Sequence, residues 1–175
     1  MTTFEEILAQ AKRPTTSVSL CLRGDLTAPY RDLERQLPAA SRTAPSLGQR
    51  SDAAVIAEKI QALEAEMTAA SQTFVLQAMS AKQWSDFNLT KPERLKDETD
   101  EALNARVFTW IAELVARSVV EPFVMTAEQV AQLCDALSGG QWDELSETAW
   151  RLNRADVAVP FSVAASALIP RSEQN

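Results

Sequence analysis

The chain has 175 residues, 46% of them hydrophobic, with four glycines, two cysteines, no histidine and a net charge of −7. Without histidine it lacks the commonest general base, the Ser–His and Cys–His nucleophile pairs and the commonest transition-metal ligand. The acid surplus lies mainly in residues 121–175, where 8 acidic groups face 3 basic ones, and such a region repels phosphate backbones, which argues against nucleic acid as a partner.

No apolar run approaches the roughly 18 residues a membrane span needs, so no membrane partner is expected. The opening MTTFEEILAQAKRP carries acids where a secretory signal needs bases, and a cytoplasmic chain is expected. Cys21 and Cys134 sit in apolar contexts and read as buried free thiols in preference to a disulfide.

In chain order, Thr3 with Glu6 forms a capping box over Phe4, Ile7 and Leu8, and a short helix follows, ended by Pro14. TSVSLCL, residues 16–22, alternates as a strand, with Val18, Leu20 and Leu22 on one face. Gly24-Asp25 turns the chain. Two apolar series with the same spacing come next: Leu26, Tyr30, Leu33, Leu37 and then Ile56, Ile60, Leu63, Met67. They predict an antiparallel helical hairpin with facing stripes, Ser51 capping its second helix and residues 38–50 forming its loose tip.

SQTFVLQAM, residues 71–79, reads as a second strand paired with the first, Phe74 and Leu76 facing opposite to Val75. Ser80 and Gln83 cap a helix whose buried candidates are Trp84 and Phe87. Residues 89–101 are a charged surface connection. Leu103, Val107, Ile111, Leu114 and Val115 mark an amphipathic helix, widened by Phe108 and Trp110 and ending near SVVEPF. Thr126 and Gln129 cap a helix with Val130, Leu133 and Leu137; Ser138-Gly139-Gly140 breaks it, and Trp142, Leu145, Ala149 and Leu152 line the next. The expected fold is mainly α (α+β): a helical domain with a long antiparallel hairpin and a small two-stranded β element. Its parts are 1–88, the connection 89–101 and a C-terminal module 102–175, together one compact domain.

A catalytic, cofactor or metal site is not expected. Glycines at 24, 48, 139 and 140 allow no phosphate loop. The cysteines lack CxxC spacing. The adjacent acid pairs Glu5/Glu6, Asp97/Glu98, Asp100/Glu101 and Asp143/Glu144 point about 100° apart on a helix and lie in polar surroundings or first helical turns. Trp84, Trp110 and Trp142 read as core. Trp150 falls one position off the Leu145–Ala149–Leu152 stripe, at the edge of the packed face or at an interface. After Asn153, Val157, Val159 and Phe161 alternate around Ala158 and Pro160, giving an extended apolar face. Val157, Val159, Pro160 and Phe161 either pack back on the domain or form a docking peptide. Ser162 could cap a short final helix through Leu168.

Several stretches together resemble the tail assembly chaperones of long-tailed, siphovirus-type phages and prophages of actinobacteria. They are FEEILAQAKRP followed by SVSLCLRGDL, the QTFVLQAMSAKQW strand-to-helix join, RSVVEPFVMTAEQVAQLCDAL, and LSGGQWDELSETAWRLNRADVAVPFSVAAS. The resemblance covers nearly the whole chain and rests on the order and spacing of these pieces. It implies a non-enzymatic protein of the host bacterial cytoplasm that holds the tape measure protein while major tail tube subunits polymerise around it, and that is absent from the mature virion. It further implies a longer, frameshifted form of the same protein as partner, diverging near the Leu152–Asn153 junction and the 157–162 segment. Self-association through the strands or the hairpin is expected alongside. A structural virion component, such as a head–tail connector or tail terminator, is the competing expectation.

Overall fold

A computed structural model describes residues 2–42 and 50–154. Val157, Val159, Pro160, Phe161 and the helix expected after Ser162, with most of the hairpin tip, lie outside the described residues. Seven α-helices and three short strands make up the described part, so the chain is mainly helical with a minor β element.

Helix α1 (Phe4–Gln10) opens under the expected capping box: the Thr3 Oγ1 accepts from the Glu6 N–H at 3.2 Å, and the Thr3 N–H donates to the Glu6 carboxylate at 2.9 Å. Strand β1 (Thr15–Cys21) follows and pairs antiparallel with β2 (Ser71–Gln77), Thr15 opposite Gln77 and Cys21 opposite Ser71. Val18 and Leu20 on β1 and Phe74 and Leu76 on β2 are buried on one face of the pair. Leu22, expected on that face, lies past the end of β1 and is 51% exposed.

Between these strands the chain runs out and back as α2 (Thr27–Ala40) and α3 (Asp52–Ala69), entered by a 3₁₀ turn at Gly24–Leu26. The helices run antiparallel: the Tyr30 hydroxyl lies 3.2 Å from the Glu64 carboxylate near one end, and Ala39 and Ala40 face Val55 and Ile56 near the other. Ser51 caps α3 through the Ala54 N–H. The hairpin's first helix is longer than expected. Pro38 sits inside α2, not at its end; in the last turn its missing N–H forfeits one helical bond, to the Glu34 carbonyl, while the Leu37 carbonyl accepts from both the Ser41 N–H at 2.9 Å and the Ser41 hydroxyl at 2.8 Å.

Helix α4 (Ala81–Asn88) starts at the Ser80–Gln83 capping box, and Phe87 is buried beneath it while Trp84 is half-buried. The central helix is α5 (Asp100–Ser118), whose C-terminal half buries Trp110, Ala112, Leu114, Val115, Ala116 and Ser118. The expected two-stranded element is a three-stranded sheet. Val119–Glu121 leaves α5 directly as β3 and joins the far side of β2, giving the order β1-β2-β3. A three-residue strand fused to a helix end has no period of its own to betray it.

Helices α6 (Ala127–Ala136) and α7 (Gly139–Arg154) complete the fold. Gly139 and Gly140 do not merely break a helix: they form the first turn of α7, behind a capping box in which the Ser138 Oγ accepts from the Gln141 N–H and Gln141 Oε1 accepts from the Ser138 N–H. The core cluster joins sheet residues Val18, Leu20, Phe74 and Leu76 to Leu114 and Val115 of α5, Val130 of α6 and Leu145 and Ala149 of α7. Helices α5 and α7 thus cover one face of the sheet, and the hairpin supplies no member of this cluster.

Asn153, in the last turn of α7, does more than sit near the helix end. It is a polar tie: its Oδ1 accepts from the Met79 N–H at 2.7 Å, and its Nδ2 donates to the Ser118 Oγ at 3.1 Å and the Ala149 carbonyl at 2.8 Å. One amide thereby joins α7, the end of α5 and the segment leaving β2, and it gives the fully buried Ser118 hydroxyl its partner.

Candidate protein-binding site

The exposed flank of the body is a groove between α5 and α7. Val107, Trp110, Ile111 and Leu114 line it from α5, and Asp143, Ser146, Glu147 and Trp150 from α7, with Lys91 and Pro92 closing one end. Its volume is about 500 Å³. The floor is apolar and the rim carries both signs of charge. Groove residues on α5 follow from helical spacing: 107, 110, 111 and 114 share one face. Because α7 covers only the next face, Val107 and Ile111 remain half-buried.

Trp150, the one described residue among the candidates read from the sequence, stands at the centre of this wall. Its ring meets Trp84 edge-on at 5.4 Å and 74°, and Trp110 at 5.6 Å and 65°. Trp110 in turn stacks on Phe87 at 4.8 Å and 15°. Such edge and offset contacts add roughly 0.5–1.5 kcal/mol each beyond area burial. Lys91 Nζ lies 5.7 Å and Arg154 Cζ 5.2 Å from the Trp150 ring centroid, so two cations brace the indole from the solvent side. The Trp110 Nε1–H donates to the Thr90 Oγ1 at 3.2 Å, which gives the buried indole its polar partner. Position 150 at the edge of the packed stripe is therefore both a packing residue and part of an open wall.

What sequence reading missed is the company Trp150 keeps. Trp84, Trp110 and Trp150 come from three helices, and only tertiary packing brings their rings together. The signal available was their placement at the apolar edge of each helix. The charged connection also contributes more than solubility. Glu98 is nearly buried and accepts from the Arg106 Nε and Nη2, both at 2.8 Å, and from the Leu95 N–H at 3.0 Å. The Arg106 guanidinium first, then the Leu95 amide, hold its carboxyl below the usual carboxylate range. This tie folds residues 93–98 against the start of α5 and sets Lys91 and Pro92 at the mouth of the groove.

Both cysteines are free and half-buried, less enclosed than expected. Burial, then Asp135, pushes the Cys134 thiol up, away from the reactive thiolate. Among the described residues no cluster of His, Cys, Asp or Glu is placed to hold a metal ion, and no helix is long and apolar enough to cross a membrane.

Fold and site together define a helix-rich domain that carries an open aromatic groove and a projecting helical arm. Comparison with known protein families, curated proteins and solved structures finds no match to this chain.

Proposed function

We propose that this chain is a non-enzymatic tail assembly chaperone of a long-tailed actinobacterial phage or prophage. It binds the tape measure protein in the host cytoplasm and keeps it soluble while tail tube subunits polymerise around it. The observation that carries this reading is the α5–α7 groove. A client made of long amphipathic helices offers an apolar stripe flanked by charges. The groove offers Val107, Ile111, Trp110 and Trp150 flanked by Lys91, Asp143 and Glu147. The net charge of −7 supports solubility of the complex. The order of family-like segments along the chain supports the same reading. Tail tube subunits and a longer frameshifted form are the further partners it entails.

The test is co-expression with the tape measure protein. The chaperone is expected to move that protein from the pellet to the soluble fraction, and a tape measure equally insoluble with and without it sinks the proposal. Val107→Asp puts a charge into the half-exposed part of the groove. It should abolish solubilisation, and a cooperative melt of the purified variant verifies that the fold persists. Mass spectrometry of purified virions distinguishes a chaperone, absent there, from a connector or terminator present in stoichiometric amount.

A further inference from the structure

The outer edge of β1 is built to pair, and the geometry points to a second copy of this chain as its partner, in an antiparallel arrangement about a two-fold axis centred on Ser17. The direction of the free groups follows from the ladder. The Leu22 N–H donates to the Ala70 carbonyl at 3.1 Å, and the Ala78 N–H to the Pro14 carbonyl at 2.9 Å. In the antiparallel register these pairs belong to the even-numbered series of β1, so Thr16, Val18 and Leu20 bond toward β2. The odd residues Thr15, Ser17, Ser19 and Cys21 therefore aim their N–H and C=O groups away from the sheet. The Cys21 carbonyl confirms this parity: it accepts from the Gln141 Nε2 at 2.6 Å, which ends the open edge at that side. Among the described residues nothing pairs with the backbones of Thr15, Ser17 and Ser19.

Edges that must stay single are blocked by charge, proline or a bulge. TTSVSLC has none of these. Ser17 and Ser19, exposed beside the free backbone groups, are small enough to let a second strand approach. Both ends of the edge also expose apolar side chains that the other described residues leave uncovered. Helix α1 at the N-terminal end presents Phe4, Ile7 and Leu8, 68%, 55% and 58% exposed, and Leu22 stands at the C-terminal end. An antiparallel pair sets the α1 end of one copy beside the Leu22 end of the other, so one symmetric contact covers both.

The occupied Cys21 carbonyl selects the register, since centring on Val18 would set Thr15 against Cys21. Charge adds to this, although Arg23 is paired with Asp25. Centring on Val18 would set Arg13 against Arg23 of the other copy, whereas centring on Ser17 sets Arg13 against Cys21. The Ser17 register also uses every free group: Ser17 meets Ser17, and Thr15 meets Ser19. Two three-stranded sheets become one continuous sheet. The inference concerns self-association alone and does not depend on the client.

Sedimentation velocity of the full chain tests it. The wild type should sediment as a dimer that dissociates on dilution. Ser17→Lys, a solvent-facing change that puts like charges across the axis, and Ser17→Pro, which removes an outward N–H and no bond to β2, should each weaken the dimer at least about tenfold. Thr73→Lys, on the same open face but on the central strand, should leave it unchanged. Far-UV circular dichroism of Ser17→Lys verifies the fold. In a Cys21→Ser, Cys134→Ser background, Ser17→Cys should oxidise to a covalent dimer, because facing Cα atoms in a hydrogen-bonded pair lie about 5.5 Å apart. A chain monomeric at every concentration overturns the inference. So does a dimer that Ser17→Lys and Ser17→Pro affect no more than Thr73→Lys, or one in which Ser17→Cys fails to cross-link.

Discussion

The helical arm and the body are made of the same kind of amphipathic helix, yet they bury very different amounts of it. Helix α3 runs 18 residues and buries Ile60 alone, and α2 buries none. Helix α5 runs 19 residues and buries six, all of them in its last nine positions, from Trp110 to Ser118. The difference is in the number of neighbours. Helix α5 meets the sheet, α6 and α7, whereas α3 packs chiefly on α2. An apolar stripe closes a seam, but a second covered face is needed to make a core. A two-helix seam of this length is marginal by itself, since most helical stability comes from tertiary packing. The arm should therefore open locally at lower free energy than the body.

Core truncation should show the contrast most strongly. Leu145→Ala, at a fully buried position under the sheet, should cost about 3 to 5 kcal/mol in thermal or denaturant unfolding. Leu63→Ala, half-buried in the arm seam, should cost about 1 kcal/mol. Equal costs would mean the arm belongs to the same cooperative unit as the body, and the comparison would fail.

A smaller effect is expected at the body's polar tie. Asn153→Ala strands the Met79 N–H and the buried Ser118 hydroxyl, and should cost about 1 to 3 kcal/mol in chemical denaturation. Asn153→Ala together with Ser118→Ala should recover part of that loss, because the hydroxyl no longer needs a partner. No recovery would show that the amide works through Met79 alone.

The smallest effect concerns acid. Glu98 has its folded-state value depressed by Arg106 and the Leu95 amide, so its contribution is complete above the unfolded carboxylate range near about 4.3 and is lost as pH falls through the lower folded value. Glu98→Gln should be less stable than wild type at pH 7, with the gap closing on acidification below about pH 4. A gap that stays constant with pH would assign the loss to packing instead of charge.

Much of the fold was legible residue by residue. The capping boxes at Thr3, Ser80 and Thr126 all form, because each depends on side chains only three positions apart. The β1–β2 pairing and its inward set Val18, Leu20, Phe74 and Leu76 were readable from alternation. Strand β3 was not, since three residues cannot show a period. Pro38 within α2 was misplaced because a last-turn proline costs one bond and leaves the remaining turns intact. At the candidate site, Trp150 could be picked out by its offset from the stripe. Its contacts with Trp84, Trp110, Lys91 and Arg154 could not, as they join residues up to 66 positions apart (84 to 150) that no local rule connects.

By itself the sequence determined the helical character of the chain, the caps that start its helices, the hairpin and the inward face of its first two strands. All of these rest on interactions between near neighbours or on a repeating period. The tertiary structure alone decided that α5 is central while α3 stays half-exposed. It also converted the end of α5 into a third strand, gave Asn153 a role as a tie, and, among the described residues, left the groove beside Trp150 and the edge of β1 open. Burial depends on how many surfaces meet at a residue, and that number is set only when distant segments pack.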